Sequence, residues 1–486
     1  MRLLVSLLAA LFVASAAAQT PSNPILAPPT PPAVAPIPPA AQATVERLRA
    51  AALESDLAYG IVESLTTEVG ARLAGSEAEA RARAWGVAQL KALGFQNVRV
   101  EPFAIPYWAR TLERATVTAA DGATQTFVVV ALGGSAPTPA GGVQGEVVRF
   151  ASMAAFNAAP AEAVAGRIVF IDEPTVRSQD GSGYGQGVAK RGACAPAAQS
   201  KGALACVIRS VGTHSHRFAH QGGSARQPAG VAFPAAAISP PDADQLARLM
   251  ARGPVRLTLE IAVETRENAP SGNVVGEIVG RERPEEIVLI GGHLDSWDQG
   301  TGALDDGAGV AITTAAAKLI RDLPRRPRRT IRVVMFGAEE TGIHGGRAYA
   351  ERHAASLDKH VIAAESDFGA RAIWRLRTRV GEGALPYARA LHAAVAPLAV
   401  TLGDNTANGG PDLGPMRAAG VPMLELGQNG WDYFDYHHTP DDTLDKIDRA
   451  ELRQNVAVYA AAVWLAAEMD WDFRAPAAPQ PVGAAR

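Results

Sequence analysis

Between about residues 268 and 469 the chain alternates short apolar runs with longer stretches of helical spacing. The runs at 273–279, 287–290, 331–336, 361–364 and 421–426 are rich in Val, Ile, Leu and Met and show little polar alternation, as strands covered on both faces of a sheet do. Helical spacing marks 307–321, which is alanine-rich with Lys318 and Arg321 near its end, and 449–469. Strand and helix in alternation predict an α/β domain with a doubly wound, mixed central sheet flanked by helices.

Towards the N-terminus, helical spacing at 43–65 and 77–93 flanks a turn at 68–76, and 98–103 alternates as a strand. From about 111 to 263 the pattern changes to short strands, at 127–130, 145–148 and 167–171, separated by Gly and Pro. A helix–strand unit at 197–207 interrupts them. The expected organisation is a signal peptide at 1–18, a Pro/Ala-rich linker or pro-segment at 19–42, a first part of the catalytic domain at 43–110, an inserted β-rich domain at 111–265, the rest of the catalytic domain at 266–472 and a disordered tail at 473–486.

The N-terminal assignment rests on Arg2, the apolar core from Leu3 to Val13 and the small residues Ala16-Ala17-Ala18 before a cleavage point near Gln19. The expected location is therefore outside the cytoplasm, periplasmic or secreted. No later run reaches about 18 uninterrupted apolar residues, so no transmembrane helix is expected. A net charge of -3 without a basic block argues against a nucleic-acid partner and for a small one. The two cysteines, Cys194 and Cys206, are read either as a disulfide permitted by an oxidising compartment or as two buried thiols. His214, His216 and His220 fall in a stretch without periodicity, which reads as a solvated or substrate-facing loop more readily than as a metal site, since no carboxylate or cysteine accompanies them at ligand spacing.

Each strand of the second half delivers an acid or a histidine at its C-terminal end, where open α/β sheets keep their chemistry. His293 and Asp295 follow one strand, Glu339 and Glu340 another, and Asp367 a third. The last strand leads to His437-His438-Thr439-Pro440-Asp441-Asp442-Thr443, while Asp305 and Asp306 precede the alanine-rich helix. One ligand-capable side chain per strand end is hard to attribute to solvation.

The motifs Gly291-Gly292-His293-Leu294-Asp295-Ser296, Leu304-Asp305-Asp306-Gly307-Ala308-Gly309, Ala338-Glu339-Glu340-Thr341-Gly342, Glu365-Ser366-Asp367 and His437-His438-Thr439, in this order, resemble the co-catalytic zinc peptidases of family M28. The string from His293 to Asp306 is similar to the carboxypeptidase Q-like branch, as are 105–110 and 207–211. The resemblance covers roughly residues 45 to 470. It implies a zinc-peptidase (phosphorylase/hydrolase-like) fold with an inserted protease-associated (PA-like) domain. It also implies two zinc ions per subunit, one held by His293 and Asp367 and the other by Glu340 and His438, with Asp305 bridging and a cis peptide after Asp305. Glu339 is implied as the general base and Asp295 as the acid that orients His293. His438 is preferred over its neighbour His437 because the family motif places the ligand directly before Thr439.

The chemistry agrees with these residue types. Zinc accepts imidazole and carboxylate, so each ion would have one histidine, one terminal acid, the shared aspartate and a shared solvent. A carboxylate kept off the metal is free to take a proton from water and pass it to a leaving amine. An acid two residues from a ligating histidine can reach the ring nitrogen not on the metal. His344, His353, His360 and His392 read as structural residues. Asp412, in a Gly- and Pro-rich turn, is a candidate substrate contact and an equally ordinary surface acid, and Tyr436 is a candidate for the oxyanion partner. The expected activity is that of an exported metallo-exopeptidase on dipeptides or short peptides, working as a homodimer. The alternatives are an aminopeptidase on longer peptides and a non-catalytic binding protein on the same fold.

Overall fold

The strand Arg283–His293 is buried at every position from Ile287 onward and lies between Arg329–Phe336 and His360–Glu365, both parallel to it. Such a strand can be apolar throughout because helices cover both faces of its sheet. Gly292 serves a different purpose: a Cβ there would lie 2.4 Å from Oδ2 of Asp306, so the glycine lets the following turn approach the strand. The computed structural model to which these elements belong describes residues 32–224 and 233–477, with one unit running from Val34 onward. The expected signal peptide lies outside the described residues.

The central sheet runs in the order Thr401–Leu402, Ile373–Arg379, Met423–Gln428, His360–Glu365, Arg283–His293, Arg329–Phe336 and Arg256–Ile278. It is mixed: Ile373–Arg379 is antiparallel to Met423–Gln428, and Arg256–Ile278 is antiparallel to Arg329–Phe336. Helices Ala308–Arg321 and Arg449–Glu468 pack on each other and carry almost wholly buried surfaces, which their Ala, Val and Ile content permits at close range.

Two strands of 23 residues each, Gln96–Thr118 and Arg256–Ile278, pair antiparallel along nearly their whole length. Residues 110–111 and 265–266 fall within them, so the backbone crosses both expected boundaries of the insert while still paired, with a register shift between Arg110 and Leu112. Beyond that point Val143–Phe150, Ile168–Ile171, Ala205–Arg209 and Ala235–Ile238 form a parallel sheet, closed by the antiparallel Val129–Ala131. Helices Ala189–Ser200 and Pro240–Met250 accompany them, so the segment is α/β rather than β-rich alone. Cys194 and Cys206 are joined as a disulfide between helix Ala189–Ser200 and strand Ala205–Arg209, with a Cα–Cα distance of 6.2 Å.

Three expectations are corrected here. The expected helix at 43–65 is two helices, Pro39–Leu53 and Leu57–Glu68, because the Ser55 hydroxyl accepts from the Leu57 amide and competes with helix continuation. The first begins inside the segment expected as linker, with Pro39 in its first turn, where a missing N–H costs nothing. The expected disordered tail is packed as far as it is described. Phe473 is buried, its carbonyl accepts the Gly381 amide, and Trp471 stacks on Tyr387 at 5.4 Å. Among the described residues no helix is long and apolar enough to cross a membrane.

Candidate metal centre

The strand Arg283–His293 ends on His293, whose backbone amide donates to Asp306 Oδ2 at 3.0 Å while the Gly309 amide donates to Oδ1. Asp306 thus ties the strand end to the first turn of helix Ala308–Arg321, and its neighbour Asp305, across a cis peptide, faces the other way. The Asp305 carboxylate lies between two imidazoles. Its Oδ1 is 2.9 Å from His293 Nε2 and its Oδ2 is 3.0 Å from His438 Nε2. His293 Nε2 also stands 3.5 Å from Asp367, and His438 Nε2 stands 2.9 Å from Glu340. Asp367 follows strand His360–Glu365, Glu340 follows Arg329–Phe336, and His438, at a φ of 61°, follows the short helix Tyr433–Tyr436. All the expected ligands therefore meet at one place, buried or nearly so.

Asp305 Oδ2 and Glu340 Oε1 are buried with no hydrogen-bond partner. Such atoms are costly unless a cation faces them. Ligand atoms of His293, Asp305 and Glu340, of Asp305, His437 and His438, and of His293, Asp306 and Asp367 lie within 4.8 Å of one another in each group. An overlapping cluster of imidazoles and carboxylates, with Asp305 in two of the groups, fits ions of zinc's kind.

The field in this site is strong. Burial tends to raise the Asp305 carboxyl, but the imidazoles of His293 and His438 dominate and hold it well below the carboxylate range. Burial pushes Glu339 well above its ordinary value, with the pull of His293 offset by Glu340 and Asp367. Burial also lifts Asp295, to about 7.

Asp295 orients more than its expected target. Its carboxylate accepts the Glu339 amide at 3.0 Å and the Glu340 amide at 3.2 Å, and stands 3.7 Å from His293 Nδ1. The ring nitrogen meets the Asp295 carbonyl instead, at 3.0 Å. Geometry assigns the carboxylate to the Glu339–Glu340 backbone, because the strand ends at His293 and the chain beyond it brings the Asp295 carbonyl, not the carboxylate, to the ring.

The remaining supports come from far along the chain. Arg72, fully buried in the 68–76 turn, donates to the carbonyls of Leu294, Thr301 and Gly302 and so pins the loop before Asp305. Asp442 accepts the amides of Leu304 and Asp305, at 2.6 and 3.2 Å. The insert reaches the metal loop directly. The Gln221 carbonyl is 3.0 Å from His438 Nδ1, the Gln221 amide donates to the His438 carbonyl, and His220 Nδ1 is 2.6 Å from the His437 carbonyl. Arg177 pairs with Asp435 at 2.6 Å, and Thr213 donates to the same carboxylate.

The reading of 214–220 as a solvated loop is thus corrected for two of its histidines. His214 and His220 are buried with their rings stacked at 4.6 Å, and burial holds the first at about 4 and the second well below its ordinary value. Neither belongs to a metal-capable group among the described residues.

Glu339 lies on the wall of a cavity of about 290 Å3 beside Asp305, Glu340 and Asp367. Neither expected substrate contact shares that wall. Asp412 is fully buried, where it accepts the Gly346 amide at 2.9 Å and is lifted by burial to about 8. Tyr436 faces Lys446 and lines a different crevice, with Arg371 and Asp432. In their place stand Tyr433 and, from the insert, Tyr184 and Arg191. Tyr184 lies within a run of alternating glycines at 181–187 and Arg191 four residues beyond it, an aromatic among glycines being the one sequence signal that could have pointed to this stretch.

The family model of peptidase family M28 matches residues 273–463. Carboxypeptidase Q of Mus musculus is 34% identical over 408 residues, which is 84% of each chain. The chain belongs to peptidase family M28. It is accordingly a zinc-dependent metallopeptidase. A solved peptidase M28 precursor from Shewanella amazonensis SB2B is similar to this M28 chain with a TM-score of 0.87 and 49% identity, covering 91% of this chain and 99% of that one. A zinc aminopeptidase from Bacillus subtilis shares the fold, with a TM-score of 0.63 at 22% identity over 86% of this chain and 97% of that one.

Proposed function

We propose that this M28 peptidase is an exported exopeptidase that cleaves dipeptides or short peptides with two zinc ions. One ion would be held by His293 and Asp367, the other by Glu340 and His438, with Asp305 between them. The observation that carries this reading is Asp305 standing within 3.0 Å of both imidazoles, each of which also faces its own acid. Zinc bound there would supply the Lewis acidity that acidifies water and polarises the scissile carbonyl. Glu339, on the cavity wall and off the proposed ligand set, takes the proton of the attacking water and returns it to the leaving amine. Asp295 holds its backbone in place. A cavity of about 290 Å3 is at the small end for ligand sites, which supports a short substrate. The reading also includes a PA-like insert at about 111–265, a cleaved signal peptide at 1–18 and a homodimer, each supported by the resemblance of the motifs and the N-terminal pattern.

The test is hydrolysis of free dipeptides, end-blocked dipeptides and longer peptides by purified protein, with zinc added and after chelation. Chelator-sensitive cleavage of free dipeptides is expected, and Glu339→Gln is expected to keep its zinc while losing at least about 100-fold in kcat. Progressive trimming of long peptides from the N-terminus would make the enzyme an aminopeptidase instead. Inertness of the zinc-loaded protein would leave a binding protein.

A further inference from the structure

Between the strand end at His293 and Asp305 the chain makes a loop whose peptide groups face two buried ionic side chains from distant parts of the sequence, Arg72 and Asp442. We propose that these two act as a pair of positioning residues, stretching the 301–305 loop between them and so setting Asp305 for both metal ions at once. This rests on the two-ion reading above and adds to it what makes the shared aspartate fit both ions.

Arg72 is fully buried and spends its guanidinium on backbone carbonyls alone. Nη1 donates to Thr301 at 2.6 Å and to Gly70 at 3.3 Å, Nη2 donates to Gly302 at 2.8 Å, and Nε donates to Leu294. Gly302, at a φ of +60°, lets the fork come this close: a Cβ there would lie 2.7 Å from Nη1. Burial holds the guanidinium below its ordinary value, and of the acids that offset this Asp442 comes first, ahead of Asp295, Asp306 and Asp305. Asp442 is the opposite pole. Its Oδ1 accepts the Leu304 amide at 2.6 Å and its Oδ2 the Asp305 amide at 3.2 Å, so both oxygens act as acceptors, as those of an ionised carboxylate do. Its carbonyl accepts the Thr301 amide at 3.0 Å.

The loop therefore turns carbonyls towards a cation and N–H groups towards an anion. Either pole alone would draw it to one side. The two poles also reach the two halves of the proposed metal site. Arg72 holds Leu294, next to His293, while Asp442 follows His438 on the same loop. Asp305, whose two oxygens face those two histidines, sits where the holds meet. An error in either hold displaces a ligand that both ions share, so the cost falls on both.

The experiment measures zinc binding to the metal-free full chain by competition with a chromophoric chelator. It uses wild type, Arg72→Met, Arg72→Lys, Asp442→Asn and the double variant Arg72→Met/Asp442→Asn, with circular dichroism on each. Wild type is expected to bind two ions. Each single variant is expected to weaken both by about 10- to 100-fold, the usual cost of losing an outer hydrogen-bond partner of a metal site. Arg72→Lys should lie closer to wild type than Arg72→Met, because it keeps the charge without the fork. Since an unopposed pole pulls the loop away, the double variant is expected within about 10-fold of the worse single one, not at the product of the two losses. Hydrogen exchange of the 301–305 amides in the metal-free chain should be slow in wild type and faster in each single variant. Tyr349→Phe cuts a buried network in which neither Arg72 nor the loop takes part, and should leave both affinities unchanged. The proposal is overturned if the single variants keep both wild-type affinities, if only one ion is weakened, or if the losses multiply in the double variant. It is equally overturned if Tyr349→Phe reproduces the losses, or if the loop amides exchange as fast in wild type as in the variants. Should Arg72→Met not fold, the cycle runs on Arg72→Lys with the same outcomes deciding. A wild type that binds one zinc or none sinks the two-ion reading itself, whatever the variants do.

Discussion

At the scale of single residues, the site depends on side chains that never touch the metal position. Asp295 is one: both carboxylate oxygens are spent on the amides of Glu339 and Glu340. An asparagine there keeps the shape but turns one of those acceptors into a donor that faces an N–H. Asp295→Asn is expected to retain zinc and to lose about 10- to 100-fold in kcat, the usual cost of disturbing an outer hydrogen-bond partner of a metal site. Zinc content and kcat measured on the same preparation check this. The proposed ligands that the fold brings together were legible from the sequence, because each falls in a short motif, three of them just past the end of an apolar run. Arg72 was not. It lies in what reads as an ordinary turn, and all but one of its acceptors are more than 220 residues away, so no local pattern betrays that it is fully buried. Asp412 errs the other way: a Gly- and Pro-rich turn suggests surface, yet the amide of Gly346 draws the carboxylate inside.

At the scale of elements, the apolar strands were readable and the charged ones were not. Ile373–Arg379 carries arginine at 375, 377 and 379, which hides a strand that pairs antiparallel with Met423–Gln428. Arg377 is neutralised by Asp404 and Glu425, partners that only the fold brings near. The strand His360–Glu365 supplies a pH effect of its own. His360 is buried, with Nδ1 at 3.0 Å from the Ser356 carbonyl and Nε2 at 2.9 Å from the Tyr349 hydroxyl, and burial lowers its pKa to about 4. The unfolded chain takes up a proton here near pH 6.5, whereas the folded chain does so only near 4. Stability is therefore fully present above about pH 6.5 and falls as the pH drops towards 4, by roughly 3 kcal/mol from this group. Urea unfolding between pH 4 and 7 should show a shallower slope for His360→Gln than for wild type. An equal slope would assign the acid sensitivity elsewhere.

At the scale of the whole molecule, the insert belongs to the metal site. Its contacts converge on 431–438, where Arg177 meets Asp435 and the Trp431 carbonyl, Thr213 meets Asp435 and Phe434, and Gln221 meets His438. With two zinc ions bound as proposed, Arg177→Ala is expected to leave the secondary structure intact and to release one of them to a chelator several-fold faster, with the rate for the other unchanged. Chelator kinetics with circular dichroism on the same sample read this out, and biphasic release with only one phase accelerated is the expected signature. Uniform acceleration of both phases would mean a general loosening. The sequence announced the insert as a separate stretch of different texture, and that texture conceals the long paired strands by which it is attached.

Those strands bear on what a shorter chain could be. A catalytic half trimmed across Gln96–Thr118 and Arg256–Ile278 would retain all the metal-facing side chains and still be chemically incomplete, because His438 would lose the carbonyl that sets which ring nitrogen carries its proton. The insert is for that reason a poor candidate for modular exchange. Swapping it would also exchange the carbonyl that orients the His438 ring.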